Sequence, residues 1–158
     1  MQATERAPEA APQPLLKPRD PLMEARNLLR RAARLPFEAA NAKAWGQAFT
    51  EHMTAARRAM VDHILESERV DSPMNEVARC APRLRPLVNQ HADEHRQILA
   101  QVHQLAEDAR RLPKPGLWDM VEMSERAKEL QMAADRHEHR RADLVFEANY
   151  RELGGEAG

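Results

Sequence analysis

The stretch LRPLVNQHADEHRQILAQVHQLAEDARRL, residues 84–112, carries the pattern that decides the fold. Steps of four and three pick out Leu84, Val88, His91, His95, Ile98, Val102, Leu105, Ala109 and Leu112. Such a stripe is the seam a helix turns toward neighbouring helices. Two of these nine positions are histidine, one turn apart, with Asp93 and Glu94 between them. A polar side chain in a seam costs stability unless it finds partners. Imidazoles beside carboxylates are what a metal site in a helical bundle requires. The same pair, taken alone, also suits seam histidines hydrogen-bonded to facing carboxylates that fix helix register.

Working outward, Leu112-Pro113-Lys114-Pro115-Gly116 reads as a tight turn, and a last helix is predicted from Leu117 to Leu153, ended by Gly154-Gly155. On the other side, Ala81-Pro82 opens the long helix, and Ser72 caps a short one reaching Cys80. From Phe37 to Val70 a further helix is expected, with Phe49, Met53, Ala56, Met60 and Ile64 as its core stripe and His63 at the stripe's edge. Asp20-Pro21 starts the first helix, whose apolar face is Leu22, Ala25, Leu28, Leu29, Ala32 and Leu35, and Pro36 stops or kinks it. Residues 1–20, with Pro8, Pro12, Pro14 and Pro18, read as a flexible, disordered tail, and residues 21–153 as one helical domain. The expectation is an all-α fold: an antiparallel four-helix bundle with a short connector. The run Leu144-Val145-Phe146-Glu147-Ala148 is apolar nearly all round, so that end is expected to be buried on more than one side, by the first helix or a second subunit.

Composition narrows the function. Charged residues make up 31% of the 158, yet the net charge is only −1, which argues against nucleic-acid binding through bulk electrostatics. The single cysteine, Cys80, excludes an intrachain disulfide and fits a reducing compartment. With no signal-peptide pattern and no apolar run near the roughly 20 residues that span a bilayer, a cytoplasmic protein is expected. No nucleophile elbow, phosphate loop or zinc-protease motif occurs, so an enzyme is the less favoured class. In His137-Glu138-x-x-Arg141, arginine stands where the protease pattern needs its second histidine.

Antiparallel helices run back at about 1.5 Å per residue, so levels can be compared across the turns. His91 falls level with His137-Glu138-His139, and His63 falls near the same layer. Three helices thus bring histidine and carboxylate to one end: His63 with Glu66 and Glu68, His91 and His95 with Glu94, and His139 with Asp143. His139 and Asp143 are four apart and share a face, with Glu147 one turn further. Imidazole with carboxylate suits iron, manganese or zinc. His52 and His103 lie about three turns away and cannot join the layer.

On these residues the chain resembles the hemerythrin-like, or HHE cation-binding, family over residues 48–153. The resemblance rests on His63 followed by Glu68, on Glu94-His95 opening an amphipathic run, and on His139-Arg-Arg-Ala-Asp143-Leu-Val-Phe-Glu147. His91-x-x-x-His95 is similar to the paired histidines on the third helix of true hemerythrins. Ser67 stands where the family has a carboxylate, His139 and Asp143 are four rather than five apart, and Asp20–Leu35 holds no histidine. The resemblance implies a helical bundle holding iron, in the family a di-iron pair bridged by carboxylates, that binds or senses dioxygen or another small redox ligand. The ligands it implies are His63, His95 and His139 with Asp143, Glu94 and Glu68, and His91 and Glu147 as further ligands or supports. The competing expectation is a metal-free helical adaptor or oligomerisation protein. Its His–carboxylate layer would be a structural network, and the Leu144–Ala148 end would meet a protein partner or a second copy.

Overall fold

A computed structural model of the chain describes residues 18–154, with side chains up to Tyr150. The expected tail, residues 1–20, therefore lies almost wholly outside the described residues. These are helical throughout, apart from turns and connections: α1 is Pro21–Ala33, α2 Ala42–Ser67, α3 Pro73–Cys80, α4 Arg85–Arg111 and α5 Leu117–Gly154. Short 3-10 turns at Ala39–Asn41 and Pro82–Leu84 lead into α2 and α4. No described helix is long and apolar enough to cross a membrane.

The helix starts have local causes. The Asp20 side chain accepts the Met23 N–H and Pro21 follows it, so α1 begins with a capped first turn. Ser72 does the same for α3 by accepting the Asn75 N–H, with Pro73 next. Where sequence reasoning starts the second helix at Phe37, the chain instead passes through the 3-10 turn and α2 starts at Ala42. No side chain caps that start, so nothing local holds the segment after Pro36 in helical form. At the other end, α2 stops at Ser67 rather than Val70, because the chain must turn within Glu68–Asp71 to present Ser72 as a cap.

Packing runs α1 on α2, α2 on α4, α4 on α5 and α5 back on α1. Each of these pairs is antiparallel. Arg19 pairs with Asp62 and Arg26 with Asp135, joining α1 to α2 and to α5. Asp108 pairs with Arg126 and Glu94 with Arg140, tying the two ends of α4 to opposite ends of α5. At the turn end, an added Cβ on Gly46 of α2 would stand 3.1 Å from the Pro115 ring and 3.2 Å from the Pro113 carbonyl, so the hydrogen side chain lets the turn close on α2.

The main core draws on all four long elements, with Leu22, Leu29, Phe49, Met53, Met60, Val102, Leu105 and Met120 almost fully buried. A second, smaller core is made by Met74 and Val77 of α3, Ala81, Leu84, Val88, Leu144 and Ala148. The connector is thus a cap, and the inner side of the Leu144–Ala148 run is covered by α3 and the start of α4. Phe146 remains 65% exposed, stacked on Tyr150. Leu112, the last position of the expected seam, also sits differently, 41% exposed. Between the two apolar clusters lies a layer of buried polar side chains.

Candidate metal centre

The layer is built from seam positions. Leu84 just before α4 and Val88, His91, His95, Ile98, Val102, Leu105 and Ala109 within it are all buried, so the stride read from the sequence carries both histidines inward. In α2 the buried series is Phe49, Met53, Ala56, Met60 and His63. The expected stripe ended on Ile64, but steps of four and three land on His63, and Ile64 is only half-buried. In α5 the stride Met120, Met123, Ala127, Leu130, Ala134 lands next on His137, which is fully buried. Three helices thus deliver four histidines whose exposures are 7% for His63, 2% for His91, 3% for His95 and 0% for His137. One turn away on the main-core side stand Met60, Ile98 and Ala134.

His63 Nε2 faces His95 Nε2 at 3.1 Å. One ring nitrogen from each of His63, His95 and His137 lies within 4.8 Å of the other two. His91 stacks on His137, the ring centroids 3.7 Å apart and the planes 11° from parallel. Its Nε2 is 3.1 Å from the His137 carbonyl oxygen. A carbonyl oxygen only accepts, so Nε2 carries the proton and Nδ1 is a bare lone pair. By the same reasoning His137 Nδ1 donates to the Glu94 carboxylate at 3.1 Å, leaving Nε2 unprotonated. Arg140 donates to the same Glu94 oxygen through Nε and Nη2 and fixes that carboxylate in place.

The two bare lone pairs have no partner: His91 Nδ1 and His137 Nε2 are buried and accept no hydrogen bond. Leaving a buried polar atom unmatched costs about 1–3 kcal/mol. The electrostatics keep the cluster neutral. Burial lowers His63 to about 4, helped by the Arg141 charge and by His91. Burial lowers His95 to about 2, with His137 and His63 adding to it. His137 falls to about 3, again through burial first and then His91 and His63. His91 is lowered by burial as well, against the raising effects of its bond to the His137 carbonyl and of nearby Glu94. At neutral pH all four rings are uncharged, the form that binds metal.

The other expected ligands lie apart from this group. His139 is exposed on the outer side of α5, its Nδ1 donating to the Asp135 carbonyl at 2.8 Å. Glu68 is exposed and faces Arg96 at 3.5 Å. Glu147 pairs with Arg83 at 3.2 Å. Asp143 is exposed and borders a cavity of about 200 Å³ that also touches His91, Glu94 and Arg140. Glu94 stands behind His137, orienting the ring. Among the described residues, the group that can hold a metal ion is therefore made of imidazoles alone.

That donor set can be tested against metals. Imidazole suits zinc, copper, iron and nickel. Nitrogen ligands at 2.0–2.1 Å in a tetrahedral site lie about 3.3 Å apart, close to the His63–His95 separation of 3.1 Å. A ring nitrogen bonded to a carboxylate behind it, as in His137–Glu94, is the usual support of a metal-binding histidine. One ion on three imidazoles fits these residues. A carboxylate-bridged di-iron pair does not, because no carboxylate joins the group.

No family model, curated protein or solved structure matched the chain in the three comparisons made.

Proposed function

We propose that this protein is a metal-binding helical domain. Its four long antiparallel helices form a four-helix bundle of hemerythrin-like form, and one transition-metal ion is held by His63, His95 and His137. The observation that carries this reading is a buried cluster of neutral imidazoles from three helices, in which the lone pair of one proposed ligand, His137 Nε2, has no donor. A structural network would normally match such atoms, since leaving them bare is costly. A metal ion supplies the missing electron-pair acceptor. Iron fits this site as a single ion, as do zinc and copper. Three protein ligands leave an open position, which supports binding of a small ligand such as dioxygen at a redox-active ion.

The test is metal content and affinity. The protein purified without chelators, or reconstituted with ferrous iron, zinc or copper, is expected to hold close to one equivalent. An ion present at a hundred times its dissociation constant stabilises the fold by about 2.7 kcal/mol, read as a rise in melting temperature. Binding below about a tenth of an equivalent for every ion, with no thermal shift, sinks the reading and leaves the metal-free adaptor.

A further inference from the structure

A large cavity opens beside His63. It measures about 600 Å³ and lies where the starts of α1 and α3 meet the end of α2 and Arg141 of α5. Sites for drug-sized ligands span about 300–1,000 Å³, so this space is far larger than a diatomic gas needs. Its walls are mostly apolar, with Leu22, Met23, Pro73 and Met74 among them, while His63 and Arg141 contribute the polar groups next to the metal centre. Arg141 is bonded to Glu138 through Nε and Nη2, which leaves Nη1 for another acceptor. Its charge acts on His63, and it lines the same cavity as Asp20 and Leu22 at the start of α1. Of the other charges on the wall, Arg19 bridges Glu24 and Asp62 and Glu66 is exposed, while the Asp20 carboxylate, which caps α1, also acts on His63 and Arg141.

The ligand class follows from charge and shape. Three neutral imidazoles do not offset the charge of a divalent ion, and no carboxylate joins them. A dication in such a dry layer favours an anion as its remaining ligand. The apolar walls favour a hydrocarbon body on that anion. We propose that the cavity binds a small organic carboxylate, its anionic end toward the ion and Arg141 and its hydrocarbon part along Leu22 and Met74. This rests on the metal-binding reading above.

The experiment uses the full chain loaded with cobalt(II), whose visible spectrum reports changes in coordination, titrated with butyrate, acetate and 1-butanol. Butyrate is expected to change the spectrum saturably and to bind about tenfold more tightly than acetate, the worth of two further buried methylenes. Butanol, lacking the charge, is expected to leave the spectrum unchanged. Arg141→Gln is expected to weaken butyrate about tenfold without weakening cobalt binding. Ser67→Phe, which places a ring in the cavity, is expected to abolish the butyrate response while cobalt is retained. Equal affinity for acetate and butyrate, or butyrate binding untouched in both variants, overturns the inference. Cobalt bound with no butyrate response overturns the inference alone, and failure to bind cobalt overturns the metal reading with it.

Discussion

At the scale of single residues, the centre separates two neighbours on α5, His137 and His139. His137 holds an inward seam position with a bare Nε2, whereas His139 is exposed and bonded to its own helix. His137→Leu removes a metal ligand but also removes an unsatisfied buried atom. Metal affinity is expected to fall roughly hundredfold, since the ligands of a site share a binding energy of about 10–16 kcal/mol. The metal-free variant is expected to melt no lower than the parent, because an apolar side chain of similar size replaces an imidazole whose Nε2 has no partner, while Glu94 keeps its bonds to Arg140. His139→Ala is expected to leave both quantities unchanged. Titration and melting curves of the two variants check this, and a metal defect in His139→Ala contradicts the assignment. Glu94→Gln tests the group behind His137. It weakens the acceptor that fixes the ring tautomer, and a loss of about 10–100-fold in metal affinity is expected, with ring geometry otherwise preserved.

At the scale of elements, α3 matters because it covers the small core that closes one side of the histidine layer. Its start depends on the Ser72 hydroxyl, 3.2 Å from the Asn75 N–H and itself almost buried. Ser72→Ala is expected to cost about 1 kcal/mol, seen as a lower urea midpoint with an unchanged slope. Amide exchange is expected to speed up in Pro73–Cys80 before it does in α2 or α5. An unchanged midpoint contradicts the capping role. The elements differ in how openly the sequence shows them. In α4 the core positions from Val88 to Ala109 fall on one uninterrupted stride, with only Ala106 beside it, so its inward face, including His91 and His95, can be read directly. The beginning of α2 cannot, because the exposed residues after Pro36 carry no side-chain cap that would mark where the helix starts. His63 and His137 were legible by the same stride applied with equal strictness. His63 is already read from the sequence as a ligand, although Ile64 looks more like the core residue there; what hides His137 is chemical habit, because the spacing of His139 to Asp143 looks more like a ligand pair than an isolated His137. The clustering of bare lone pairs has no sequence signal, since it depends on ring rotation inside a packed layer.

At the scale of the whole molecule, the histidine layer makes stability depend on pH in a defined direction. All four buried rings have folded-state values below the ordinary 6.5, through burial first, then through neighbouring imidazoles at His63, His95 and His137 and through the nearby Arg140, Arg141 and Arg96 charges. The unfolded chain takes up a proton on each ring as pH falls through about 6.5, whereas the folded chain resists until about 4 at His63 and lower at His137 and His95. Between those limits the unfolded state binds more protons, so stability rises with pH. The contribution is fully present above about 6.5 and is lost progressively toward pH 4, each ring adding a slope of up to about 1.4 kcal/mol per pH unit. The metal-free protein is therefore expected to melt at a steeply falling temperature from pH 7 to pH 4. Bound metal, which also needs unprotonated rings, is expected to steepen that fall, because acid releases the ion as well. A variant with His91 and His137 both changed to leucine removes two of the titrating rings, so its melting temperature is expected to fall less across the same interval. Equal pH dependence in parent and double variant contradicts the placement of these rings in a neutral, buried layer.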